Sequence, residues 1–417
     1  NTWEAVYFQT DLDQLRRLAD TAAAIGVERF VLDDGWFGSR RDDHRGLGDW
    51  VVSREVWPEG LAPIVDHVKG LGMEFGLWFE PEMVNVDSDL VRAHPDWVLG
   101  PVAGVPLPSR HQHVLDLANP DAFAHVLEAM SALVAQYGID FIKWDHNRDL
   151  HEAVRTDGSG TDRPAVHAQT SATYRLLDEL RRRHPGLDIE SCSSGGARVD
   201  LGVLERTDRV WTSDCNDALE RVAIQRWTGL LVPPERMGTH IGPPTAHTTH
   251  RHLDLSLRML VALGGHAGLE WDITTCSTDE LDALRAWSAL YRELRPLLHG
   301  GDAVRSDHPD PALVVGGVVA ADRSAAVFTV IQAVSGRGVA PGVVPLPGLD
   351  AGRRYRVRVR SEAGLPAVIQ VQPPAWWDAA LDGGIVVGGA ALGEVGLALP
   401  VLAPAQGFLL HVESVDG

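Results

Sequence analysis

The chain has 417 residues, 45% of them hydrophobic and 23% charged, too long for one ordinary domain and ample for a large core. Lys plus Arg number 37 against 57 for Asp plus Glu, a net charge of −20, and so acidic a surface argues against a nucleic-acid partner. Ordinary apolar content with 13 Trp excludes a disordered chain, and three cysteines without a CxxC pair exclude a disulfide scaffold.

In chain order, short apolar segments alternate with amphipathic ones as far as about residue 298. The strand candidates are 29–32, 74–79, 114–117, 141–144, 188–191, 209–212, 237–241 and 267–270. The clearest helix covers 121–136, where Phe123, Val126, Leu127, Met130, Leu133 and Val134 recur mostly at steps of three and four. Asn119 stands as its N-cap and Gly138 just past its end. Eight strand signals with helix between most of them predict a parallel (β/α)8 TIM barrel. A doubly wound sheet is the alternative, but no GxGxxG follows the first strand.

After residue 300 the texture changes to short alternating or apolar runs separated by Gly and Pro: 313–321, 325–332, 354–360, 384–387, 395–399 and 407–412. These predict a C-terminal all-β sandwich, so the expected domains are a barrel over 1–300 and a sandwich over 301–417. The stretch 156–163 (TDGSGTDR) is expected to be an exposed loop. The segment 384–410 carries only Glu394 as a charge, yet its glycines, Pro400 and Pro404 suit short strands better than a membrane helix. The chain starts at Asn1 without a methionine, so an upstream segment, removed or left out, is expected.

A barrel carries its site at the C-terminal ends of its strands, and the candidate strands here end in acids. Asp33 and Asp34 close the first and Glu80 and Glu82 the second. Asp145 follows Lys143 in IKWD, Glu190 lies in ESCSSGG, Asp214 and Asp217 in SDCND, and Glu270 in LEWD. One such acid reads as an N-cap or ion-pair partner; five or six on one rim do not. Trp36, Trp78, Trp144, Trp211 and Trp271 accompany them, and acids with indoles suit carbohydrate, although some of these tryptophans are expected in the core. Glycoside hydrolysis needs two carboxylates, one at the anomeric carbon and one to protonate the leaving oxygen. Lys143, one of only two lysines, would keep a neighbouring Asp145 ionised as a nucleophile. Asp214, two strands on, is the candidate acid.

The segments NTWEAVYFQTD, LDDGWFG, LGDW, GLWFEPEMV, FIKWDHNR, ESCSSGG, WTSDCND, HIGPP and GLEWD make residues 1–300 resemble the catalytic core of the family 36 α-galactosidases. That resemblance implies a retaining hydrolase releasing terminal α-linked galactose from oligosaccharides through a covalent aspartyl intermediate. It makes Asp145 the nucleophile and Asp214 the acid/base. It assigns galactose binding to Asp33, Asp34, Trp78, Arg110 in PSRHQ, Lys143 and the turn from Cys192 to Gly195. Two carboxylates suffice for this chemistry, so no cofactor is expected, and charge and hydropathy leave no nucleic-acid or membrane partner expected. Sparse cysteine and the family's use on imported sugars point to a cytoplasmic location, and the resemblance implies a homo-oligomer in a full-length form carrying the family's N-terminal β domain.

Four other readings compete. An α-N-acetylgalactosaminidase or a raffinose-synthase-like α-galactosyl transferase would share the same scaffold. A non-catalytic sugar-binding barrel would dispense with one of the two acids, and both are present. A metal-dependent barrel hydrolase would use HxH runs such as HQH at 111–113, but that run precedes its strand, and Asn147 and Arg148 are poor metal company for Asp145.

Overall fold

The computed structural model describes residues 1–101, 107–156, 161–338, 341–369 and 372–415. They fall into two compact units: Asn1–Asp214 with Glu270–Thr275, and Cys215–Leu269 with Cys276–Gly417.

In the first unit five parallel strands lie side by side in chain order: β1 Arg29–Leu32, β2 Glu74–Phe79, β3 Phe141–Trp144, β4 Asp188–Ser191 and β5 Arg209–Trp211. Their buried runs of Phe, Val, Leu and Ile are those of strands covered on both faces. Gly76 of β2 sits opposite Phe141 of β3, and a Cβ there would lie 2.8 Å from the Phe141 ring and 2.9 Å from Val31. Glycine lets the strands close. Helix Leu12–Ala24 precedes β1, and helices Ala62–Gly70, Pro120–Tyr137 and Val166–Arg183 separate the first four strands. The helix expected at 121–136 runs from Pro120 to Tyr137. Its Asn119 side chain accepts from the Asp121 amide at 2.9 Å, and Gly138 ends it in left-handed backbone (φ 59°).

One of the eight expected strands is not built as such. Residues 114–117 stay out of the parallel sheet, where β2 pairs directly with β3. His113–Val114 forms a short antiparallel pair with Met83–Val84, and Leu115 an isolated antiparallel bridge with Val98. The amides that follow bond elsewhere: Leu115 to the Glu82 carbonyl, Asp116 to that of Trp97, and Leu117 to the Gln169 side chain. With its donors satisfied by these segments and a glutamine, this apolar run is not free to join the parallel ladder. The loop expected at 156–163 is flanked by a small hairpin, Val154–Thr156 against Asp162–Pro164, and its centre lies outside the described residues.

The second unit holds a parallel pair, β6 Met237–Ile241 with β7 His266–Leu269, and an antiparallel six-stranded sheet. Its sheet strands are β8 Asp302–Ser306, β9 Leu313–Val319, β10 Ala325–Gln332, β11 Arg354–Val359, β12 Ile385–Gly388 and β13 Gln406–Ser414, in the spatial order β8-β9-β10-β13-β11-β12. Val315, Phe328, Val330, Tyr355, Val357, Phe408 and Leu410 are buried in one core with Leu397, Leu399, Trp377 and Ala380. The second layer of the expected sandwich is thus slight: a two-residue pair, Val343–Val344 with Leu397–Ala398, and the helix Trp376–Leu381. Among the described residues no helix is long and apolar enough to cross a membrane.

Candidate active site

The polar residues that close β1 to β5 converge at one end of the first unit. Asp33, 2% exposed, accepts from the Lys143 ammonium at 2.8 Å and from the Asn1 amide at 2.7 Å. Asp34 is gripped by the Arg40 guanidinium, with Nη2 at 2.8 Å and Nε at 3.1 Å. Arg40 is itself buried and donates to Asn85 Oδ1 at 3.1 Å. Neither Arg40 nor Asn85 was singled out from the sequence. A buried aspartate pair needs two cations: Lys143 comes from the IKWD motif, and Arg40 from the loop that follows LDDGW.

Lys143 lies in β3 and Asp145 just past its end, two residues on, so the extended backbone turns both side chains to the same side. Lys143 pairs directly with Asp33 and acts on Asp145 through space. Burial would raise the Asp145 proton affinity. The Lys143 ammonium, the Asn147 and Cys192 side chains and the His146 amide at 2.8 Å together hold the carboxyl below its usual range. Asp214 goes the other way. It is open to solvent on one side, but the surrounding protein and then the Asp145 charge raise its pKa to about 6. One carboxyl stays ionised while the other keeps a proton into mildly acidic conditions.

Cys192 lies between them, with Sγ 3.9 Å from Asp214 Oδ1 and accepting the Gly195 amide at 3.4 Å. Burial first, then both aspartates, push its thiol well above the usual range, so it is no thiolate nucleophile. The turn after it is glycine by necessity. Gly195 has φ +81°, and a Cβ on it would stand 2.5 Å from the Asp214 amide nitrogen; one on Gly196 would stand 2.2 Å from the Thr212 carbonyl.

The tryptophans orient acids. Trp78 donates its indole N–H to Asp145 Oδ2 at 3.2 Å, Trp144 to Glu82 at 2.9 Å and Trp211 to Asp214 at 3.1 Å. Trp36 is fully buried and donates to the Trp78 carbonyl. Arg110, exposed, reaches Asn147 Oδ1 and Ser194 Oγ, each at 2.9 Å, from a left-handed backbone (φ 51°). Asp217, the other acid of SDCND, caps the helix Ala218–Thr228 and pairs with Arg251 at 2.6 Å. Among the described residues, the group offering three potential metal ligands is Asp43, His44 and His111. The two imidazoles stack at 3.6 Å and 25°, so their in-plane lone pairs run side by side instead of converging on an ion.

Parallel strands alternating with helices, with acids gathered at the strand ends, are the architecture of a TIM-barrel protein with its site at that rim. Residues 1–301 match the Melibiase family model and residues 314–412 that of the glycosyl hydrolase family 36 C-terminal domain. The chain belongs to this family. It is 44% identical to an alpha-galactosidase of Escherichia coli, over 99% of this chain and 58% of that protein. With alpha-galactosidase Mel36A of Lactobacillus acidophilus it shares 36% identity, over 85% of this chain and 49% of that one. The solved alpha-galactosidase AgaA of Geobacillus stearothermophilus superposes with a TM-score of 0.90 at 35% identity, covering all of this chain and 55% of AgaA. The chain thus spans about half the length of these relatives.

Proposed function

We propose that this chain carries the catalytic region of a retaining α-galactosidase. The observation that carries the reading is the split between Asp145, held ionised beside Lys143, and Asp214, raised to about 6. Asp145 attacks the anomeric carbon while Asp214 gives its proton to the departing glycosidic oxygen. That leaves galactose joined to Asp145 and Asp214 as the carboxylate. Asp214 then takes a proton from water, which attacks the same carbon and frees Asp145.

Asp33 and Asp34 receive galactose hydroxyls, with Lys143 and Arg40 fixing their orientation. Trp78, Arg110 and the turn of Cys192 and Gly195 complete the pocket. The substrate class is α-galactoside oligosaccharides, as several relatives' names support. The family matches at 1–301 and 314–412 support a catalytic region over 1–300 and an all-β module over 301–417. Assembly into a homo-oligomer in a longer form, and a cytoplasmic location in keeping with sparse cysteine, belong to the same reading.

Rates on nitrophenyl α-galactoside, α-glucoside and α-N-acetylgalactosaminide test it. A buried carboxylate built for the axial 4-hydroxyl is left unpaired by glucose, a mismatch worth orders of magnitude in kcat/KM. Comparable rates on the two hexosides would refute the reading. A preference for the acetylated sugar would transfer it to the α-N-acetylgalactosaminidases.

A further inference from the structure

Glu80 is fully buried at the end of β2 and has no part in the chemistry above. Its two oxygens face two different loops. Oε1 accepts the backbone N–H of Asn147, two residues beyond Asp145, and Oε2 accepts from Gln112 Nε2 at 3.0 Å. Gln112 is itself buried and ends the loop that carries Arg110.

That loop does not keep its shape unaided. Arg110 and His111 are consecutive side-chain-bearing residues in left-handed backbone, φ 51° and 61°. Three fastenings hold it: Asn85 Nδ2 on the His111 carbonyl at 2.8 Å, the reciprocal backbone bonds of Ser109 with Gln112, and the Gln112–Glu80 bond. The Arg110 guanidinium then rests on Asn147, whose own backbone Glu80 holds. Glu80 therefore controls both the root of the Arg110 loop and the partner at its tip.

We propose that Glu80 is a positioning residue for substrate binding: it couples the Arg110 loop to the nucleophile loop, and the coupling needs its shape but not its charge. This rests on reading Arg110 and Asp145 as galactoside-binding and nucleophilic. The charged groups acting on Glu80 are Asp145, from the loop after β3, and Arg40, from the loop after β1. Arg40 is committed to Asp34 and Asn85, and among the described residues no Lys or Arg pairs with Glu80. Burial and then Asp145 raise its pKa to about 8, which favours the uncharged acid at neutral pH; its O–H is then donated to Gln112 Oε1 with the Gln112 amide turned over.

Glutamine is the matching substitute. Its carbonyl accepts from Asn147, and its amide donates to Gln112 Oε1 once that amide turns over. Oε1 is an oxygen now buried without a partner.

Steady-state kinetics on nitrophenyl α-galactoside test the proposal. In Glu80→Ala and in Gln112→Ala, KM should rise about tenfold or more with kcat within about threefold, because Asp145 keeps Trp78 and the His146 amide. The double variant should be no worse than either single one, since both cut the same link. Glu80→Gln should stay within about twofold of wild type on both constants. A Glu80→Gln as defective as Glu80→Ala, additive single effects, or a fall in kcat at unchanged KM would each overturn the proposal. If Glu80→Ala does not fold, Gln112→Ala and Glu80→Gln carry the test. A wild type inactive on every α-galactoside would instead overturn the functional reading, and this proposal with it.

Discussion

The strand ends of the first unit and the antiparallel sheet of the second bury their side chains by opposite rules. At the strand ends Asp33, Asp34, Arg40, Glu80, Glu82, Lys143 and Asp145 are all buried. In the sheet the buried positions are Val315, Phe328, Val330, Tyr355, Val357, Phe408 and Leu410, while Arg354 and Arg356 alternate outward. Apolar burial is additive and graded, so a methylene lost here or there costs a similar amount. Buried charges are matched one by one, and the match decides what each group is. Glu80 and Glu82 leave the same strand two residues apart. Glu82 accepts from Arg198 at 2.8 Å, Trp144 and Thr173, and the charges of Arg198 and His146 with the Trp144 bond offset its burial and bring it to about 2. Glu80, with no such cation, is raised to about 8.

The sharpest break of this comparison removes a reacting carboxylate. Asp145→Ala should lose kcat by on the order of 10^4-fold or more on every substrate, since no glycosyl-enzyme can form without it. Asp214→Ala should lose about 10^2- to 10^4-fold on raffinose but keep a measurable first step with an activated aryl galactoside, whose phenolate leaves unaided. Azide should then restore turnover of Asp214→Ala by attacking the intermediate β-linked to Asp145, giving the α-azide. Any rescue of Asp145→Ala should give the β-azide by direct inversion. Identification of the azide anomers checks the assignment, and the reverse pattern would exchange the two roles.

Next in size is a broken charge match. Lys143→Met leaves Asp33 and Asp145 without their buried cation and should destabilise by about 3–5 kcal/mol, read from urea unfolding. Leu410→Ala in the sheet should cost about 2–4 kcal/mol by cavity formation, with the KM for nitrophenyl α-galactoside unchanged. A KM that moved with Leu410→Ala would show that the two regions are not independent.

The smallest effects lie in the pH dependence of stability. Glu82 is depressed in the fold, so its contribution is fully present above the ordinary glutamate range and is lost as pH falls from about 4.5 toward 2, up to ~3 kcal/mol. Glu80 has the opposite sign. The folded protein keeps a proton that the unfolded chain releases, so stability declines as pH rises from about 4.5 to 8. Glu80→Gln removes that decline and should stabilise the protein at pH 8 while leaving pH 4 unchanged. Unfolding midpoints at the two pH values decide it; a Glu80→Gln that is less stable at pH 8 would mean the carboxylate is matched after all.

The strands 29–32, 74–79, 141–144, 188–191 and 237–241 were legible to the residue, as were Asn119 and Gly138 at the ends of their helix, because hydrophobic period and capping chemistry are local properties. So was the gathering of Asp33, Asp34, Lys143, Asp145, Cys192, Gly195 and Asp214 at the strand ends, since the barrel plan converts strand ends into neighbours. The tertiary structure alone decided that 114–117 is not a sheet strand, for an apolar run becomes a strand only where a ladder is free. It also decided that Arg40 and Asn85 complete the aspartate pair, and that the indoles of Trp78, Trp144 and Trp211 brace carboxylates. Above all it decided proton affinity. Glu80 and Glu82 look alike in FEPE, and the difference between about 8 and about 2 comes from burial and from charges brought close by folding, Asp145 for one and Arg198 for the other, which no run of neighbouring letters contains.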